Sequence, residues 1–144
     1  MSYMIALLII IMSLVKSPLT KKTDQEFKPY VKQFEMYYNN TVKTPIVFGD
    51  KFEKSVVGVC ITYSKHVKII KINPRFWNKA DDYEREALIF HELGHCELDK
   101  DHNDSLYEIS EGHFIPASLM QSNLLDGNTY TTYHSYYMYE LFKK

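Results

Sequence analysis

The sequence predicts an α+β domain in which a small mixed or antiparallel sheet packs on one long helix, with further helices towards the two ends. Three observations carry this. Two β-rich runs, residues 56–64 and 67–73, are separated only by Lys65-His66, the pattern of a hairpin. A later stretch carries Ala87, Leu88, Ile89, Phe90 and Leu93 around most of a helix circumference, as in a helix buried beneath a sheet. Aromatic residues recur at helical spacing both before the hairpin and near the carboxyl end.

Taken in order, residues 24–40 form an amphipathic helix, with Phe27, Tyr30, Val31, Phe34 and Tyr37 or Tyr38 spaced three and four apart. Pro29 falls in its first turns, where proline is tolerated, and Asn39-Asn40 ends it. Residues 44–49 read as a short strand. The hairpin follows, its second strand alternating Val67, Ile69 and Ile72 imperfectly with Lys68 and Lys71. Asn73-Pro74 is a helix start, and Asp81 or Asp82 caps the long helix. Beyond Leu98 the chain is polar, and no regular structure is expected until residues 114–120. Residues 129–142 close the domain as an aromatic-rich helix packed on the core.

With 144 residues, 45% of them hydrophobic, the chain can bury one core. A net charge of -1 and scattered lysines remove the electrostatic case for nucleic acid. Of the 12 tyrosines, many lie in the closing segment, which reads as core and rim rather than as a base-stacking or carbohydrate platform.

Residues 3–15 are nearly all apolar and are followed by Lys16, Lys21 and Lys22. The run is shorter than the ~20 residues that span a bilayer but suits the core of a signal peptide. Residues 1–20 are therefore read as a signal peptide, or else as an uncleaved membrane anchor, with residues 24–144 as the working domain. This implies an exported chain, periplasmic or secreted. Cys60 and Cys96 are the only cysteines. Cys96 is read as a small buried apolar residue, with a Cys60–Cys96 disulfide as the lesser reading.

The chemistry is concentrated in His91-Glu92-Leu93-Gly94-His95. At ~3.6 residues per turn, His91 and His95 rise on one helix face and can present both imidazoles to a single metal ion. Glu92 stands beside the first ligand, placed to take a proton from a water that Zn²⁺ would acidify to a pKa of about 7. This is the pattern of a zinc hydrolase. Catalytic zinc ordinarily takes three protein ligands, and the nearest further donors are Asp101 and His102.

At these residues the chain resembles the metzincin group of zinc peptidases, with Pro116-Ala117-Ser118-Leu119-Met120 similar to their methionine turn. More closely, it resembles a set of small bacterial metallopeptidase-like chains. These have a strand, a tryptophan, a helix ending in His-Glu-Leu-Gly-His-Cys, a histidine after a short loop, a Ser-Leu-Met turn and a tyrosine-rich end. Here the matching residues run from about 56 to Glu140-Leu141-Phe142. The resemblance implies a small zincin-like metallopeptidase domain with Zn²⁺ on His91, His95 and His102, Glu92 as general base, and a peptide or protein as substrate. The usual metzincin spacing would instead select Asp101, and Leu98 stands where its turn glycine belongs. The longer spacing in the small bacterial set favours His102, with the turn at Asp99-Lys100. Ser122 occupies the position of a metzincin tyrosine, leaving His113, Tyr133 and His134 as candidates for the electrophilic role. Two alternatives stay open. One is a non-catalytic zinc-binding interaction module; the other is a site of the gluzincin kind, with Glu108 or Glu111 supplied from a second helix as third ligand.

Overall fold

The computed structural model describes residues 22–143, and the apolar run at 3–15 lies outside them. The elements are a single 3-10 turn (Gln25–Phe27), α1 (Lys28–Tyr38), β1 (Ile46–Phe48), β2 (Gly58–Ser64), β3 (Val67–Ile72), α2 (Pro74–Trp77) and α3 (Asp82–Leu98). These are followed by β4 (Leu106–Ser110), β5 (His113–Pro116), α4 (Gly127–Thr132) and α5 (His134–Phe142). The class is the one expected: α+β, with a small mixed sheet on the long helix and helices on either side. Among the described residues no helix is long and apolar enough to cross a membrane.

The sheet runs β1-β3-β2, with β1 parallel and β2 antiparallel to the central β3. β3 is central because its isoleucines are buried between neighbours: Ile69, Ile70 and Ile72 are all shielded, while Gly58 to Ser64 grow more exposed towards the Lys65-His66 turn. Helix α3 starts where its sequence says it must. The Asp81 carboxylate accepts the Glu84 amide, and the Glu84 side chain returns to the Asp81 amide, satisfying two donors that a bare helix end would leave free. From Ala87 to Gly94 every residue is buried, since sheet, α1 and the terminal helices cover most of the helix.

The rest of the core is aromatic. Phe34 on α1 packs edge-on against Phe90 of α3, ring centroids 5.2 Å apart, and against Phe142 of α5. Trp77 packs on Phe27 and spends its one polar atom on the Glu26 carboxylate, so its burial leaves no donor unpaired. α1 ends at Asn39, whose left-handed φ of 52° stops the helix while its amide still bonds Glu35.

Three expectations are corrected. Cys60 on β2 and Cys96 on α3 are joined by a disulfide, their Cα atoms 5.8 Å apart, so Cys96 is not simply a buried apolar side chain. A covalent loop with a sequence separation of 36 residues restricts the unfolded chain by an amount worth roughly 3–4 kcal/mol. Second, residues 106–116 are not irregular but form the β4–β5 hairpin, turned by Gly112 at a φ of 75°. The Glu-Gly step between two β-prone runs was the available signal. Third, the closing helix is broken at Tyr133, where the backbone leaves the helical region at φ -113° and ψ 24°.

Phe34 is fully buried among the rings of Tyr38, Phe90 and Phe142. Phe34→Ala is expected to cost about 3–5 kcal/mol, read as a lowered midpoint in urea unfolding followed by tryptophan fluorescence.

Candidate metal centre

On α3 the four-residue repeat creates two stripes. Leu88, Glu92 and Cys96 face β2, and Leu88 and Glu92 also line, with His91 and His95, a cleft of about 970 Å³. The cleft is walled on one side by residues 55–60 and on the other by Asp99, Lys100, Asp101, His102 and residues 122–124.

Each helix histidine is oriented by a backbone carbonyl. His91 Nδ1 lies 2.9 Å from the Leu119 oxygen, and His95 Nδ1 lies 2.6 Å from the Lys100 oxygen. A carbonyl only accepts, so both Nδ1 atoms carry the proton. Burial pushes the His91 imidazole down to about 4 and also lowers His95, so both rings are neutral near pH 7. Neutral rings protonated at Nδ1 present a lone pair at Nε2. Those two Nε2 atoms lie 3.1 Å apart. Two lone pairs at that distance repel unless a cation lies between them. Tetrahedral zinc with bonds of ~2.0–2.1 Å sets its ligand atoms about 3.3 Å apart, so the donor set fits such an ion.

His102 completes the cluster. Its ring centroid is 4.7 Å from that of His95 and 5.4 Å from that of His91. One donor atom from each of the three lies within 4.8 Å of the others. The chain reaches this point by turning at Asp99, which adopts a left-handed φ of 51° and whose carboxylate is held by Lys68 of β3. Asp99 thus makes the turn expected at Asp99-Lys100. The segment after His102 is then fastened to the segment around Met120. The Asn103 amide bonds the Met120 carbonyl at 2.9 Å, and the Ala117 amide bonds the Ser105 carbonyl at 2.8 Å. Asp104 accepts both the amide and the hydroxyl of Ser122, which hold its carboxyl below the usual range. Asp101 remains exposed on the cleft wall and is not one of the three clustered residues.

The Leu119 carbonyl is itself held from below. Ser118 donates to the buried Glu140 carboxylate of α5 and accepts the Met120 amide, both at 2.9 Å. Tyr136 and Tyr137 donate their hydroxyls to the Ala117 and Pro116 carbonyls. Much of the tyrosine-rich end therefore serves to position the turn, while Tyr139 is exposed. The Met120 thioether lies directly against Gly94.

Glu92 projects from the other stripe. Its carboxylate fits only because β2 carries glycine opposite it: a Cβ at Gly58 would come within 2.7 Å of Glu92 Oε1 and 2.9 Å of Leu88 Cδ1. Burial pushes Glu92 up to about 8, opposed by the backbone amide of Cys60.

Other candidates fall elsewhere. Glu108 lies on β4 and accepts the Gly112 amide, and Glu111 lies in the exposed hairpin turn. The helix expected to supply them is a strand, and neither joins the histidines. His134 bonds Glu86 on the far side of α3, and neither His113 nor Tyr133 lines the cleft. His66 sits on the cleft rim. The Leu119 and Lys100 carbonyls, Asp104 and Gly58 escaped the sequence reading. A backbone carbonyl has no residue signature, and the others matter only through long-range partners.

A Gly94→Ala chain must displace the Met120 thioether within a packed core. The expected cost is about 1–3 kcal/mol of stability, checked by urea denaturation of the metal-free protein.

No curated protein and no solved structure gives a significant match to the chain. One family model does match, over residues 21–115, and its description is "Putative phage metallopeptidase". The match takes in all three clustered histidines and Glu92 but stops short of Met120. On that match, the chain belongs to this metallopeptidase family.

Proposed function

We propose that the chain is a zinc-dependent peptidase of metzincin-like organisation, with His91, His95 and His102 as the metal ligands and Glu92 as the general base. The observation that carries the reading is the pair of lone-pair Nε2 atoms held 3.1 Å apart by backbone carbonyls, with a third imidazole beside them. Neutral imidazoles suit zinc, and three ligands leave a position open for chemistry. Met120 then serves as the floor of a methionine turn.

A zinc ion held there supplies Lewis acidity, activating water near neutral pH and polarising the carbonyl under attack. The protein's part is proton transfer and alignment. Glu92, buried between β2 and the histidine stripe, takes the proton from the attacking water at its carboxylate and returns it to the leaving amide nitrogen. A cation in the cleft would favour the ionised carboxylate against the burial that raises it. Ser122 is engaged by Asp104 through both its amide and its hydroxyl, which argues against an electrophilic role for it.

The substrate is placed by β2. Asn73 donates to the Val57 carbonyl, so alternation along the ladder gives Val57, Val59 and Ile61 to β3. Gly58, Cys60 and Thr62 turn their backbone groups to the free edge beside Glu92. An extended peptide pairing there would lie across the cleft with its carbonyl facing the histidines. The disulfide supports an oxidising working compartment, in keeping with the export-like start.

Glu92→Gln is expected to retain zinc and lose turnover by about 10²–10⁴-fold, measured on a peptide library with metal content determined in parallel. A parent that binds zinc but cleaves nothing in such a library would instead be a zinc-binding interaction module. His102→Ala is expected to weaken zinc binding strongly, whereas Asp101→Ala keeps it near the parent value. The reverse order in a competitive chelator titration would transfer the third-ligand role to Asp101.

A further inference from the structure

We propose that the Cys60–Cys96 disulfide is a positioning element that keeps the free edge of β2 in register with Glu92, so that its redox state switches peptide cleavage while leaving metal binding intact. The inference rests on the peptidase reading above.

Leu88, Glu92 and Cys96 form a single stripe on α3, four residues apart. Gly58 and Cys60, two apart on β2, point to the same side of the sheet and meet this stripe. The strand is thus fastened to the helix at three points. Gly58 abuts Leu88 and Glu92 by contact, the Cys60 amide meets the Glu92 carboxylate, and Cys60 joins Cys96 covalently. Past Cys60 the strand has little else to hold its outer side: Thr62, Tyr63 and Ser64 are exposed, and the pairing with β3 shifts between Thr62 and Ser64. The disulfide is therefore the last attachment of the substrate edge before the open turn.

The metal ligands are fastened from elsewhere. His91 and His95 take their orientation from the Leu119 and Lys100 carbonyls, and the His102 segment from residues 117–122. None of these bonds involves β2. Lys68 ties the end of α3 to β3 through the Cys96 carbonyl and Asp99, and needs no disulfide to do so. Opening the disulfide frees the edge strand and spares the donor cluster.

Cys60 lines the cleft and is half-buried, so a reductant reaches the bond from the substrate side, whereas Cys96 is 3% exposed. Reduction adds two electrons and two protons to the S–S bond and yields two thiols. A dithiol donor would lose the same pair and close its own disulfide.

The test uses the zinc-loaded protein, a trialkylphosphine and a peptide substrate selected from a library. The phosphine has no thiolate to compete for zinc and is oxidised to its oxide, with water supplying the oxygen. Two titratable thiols should appear and kcat/KM should fall at least tenfold, mostly in kcat, with recovery on reoxidation. Zinc stoichiometry and affinity should stay within twofold. The Cys60→Ser/Cys96→Ser chain should match the reduced parent and ignore the phosphine. Amide hydrogen exchange supplies a readout independent of turnover: the Cys60 and Ile61 amides, bonded to Glu92 and to β3, should exchange at least tenfold faster on reduction, with residues 88–95 unchanged. Unchanged turnover after verified reduction, or zinc loss in step with activity, would overturn the proposal. So would exchange that accelerates across α3 or nowhere. A parent inert in both states, but with exchange confined to β2, would sink the peptidase reading and leave the coupling of disulfide to edge strand standing.

Discussion

Everything in the cleft depends on two hydrogen bonds from imidazole Nδ1 atoms to main-chain carbonyls. A helix brings His91 and His95 to one face, but it does not choose their tautomers or ring angles. The Leu119 and Lys100 carbonyls do both, and as a result two lone pairs converge on one point. The carbonyls in turn need rigid support. Leu119 receives it from Ser118 and Glu140, and Lys100 from the left-handed turn at Asp99 and its partner Lys68. Two neutral rings, His91 and His95, with lone pairs converging on one point carry a standing electrostatic cost, and the packing around His91 resists the rearrangement that would relieve it.

The packing around α3 follows from the same demand. A helix buried over most of its circumference is held against translation and rotation, and it sets each of its faces to a different task. One stripe faces the sheet with Leu88, Glu92 and Cys96, one offers histidines to the cleft, and Gly94 admits the Met120 thioether. The two glycines that matter, Gly58 and Gly94, are chosen for the space they leave rather than for any unusual backbone angle.

Much of this was legible in the sequence because it is local. The helix, its Asp81 cap, the Asn73-Pro74 start and the hairpin around Lys65-His66 depend on neighbours within a few residues, and so does the pairing of His91 with His95. The placing of His102 beside them followed from a resemblance, and the loop geometry brings it there. What stayed hidden was determined over distance. Cys60 and Cys96 are 36 positions apart, and only the crossing of strand over helix makes them partners. The β4–β5 hairpin escaped because its strands are exposed and lack the alternation that a buried face imposes. The break at Tyr133 is a change of backbone angle inside a continuous aromatic-rich run, which helical periodicity does not reveal.

The Ser118–Glu140 bond has a bearing on where this protein's functional unit stops. The region shared with the family ends at residue 115 and contains every proposed donor. Yet the carbonyl that sets the first donor's tautomer is at residue 119, and the carboxylate that steadies its turn is at residue 140. A fragment cut at the edge of the shared region would keep the residues that name the chemistry and lose those that aim it. The unit that folds and the unit that is recognised are different lengths of the same chain.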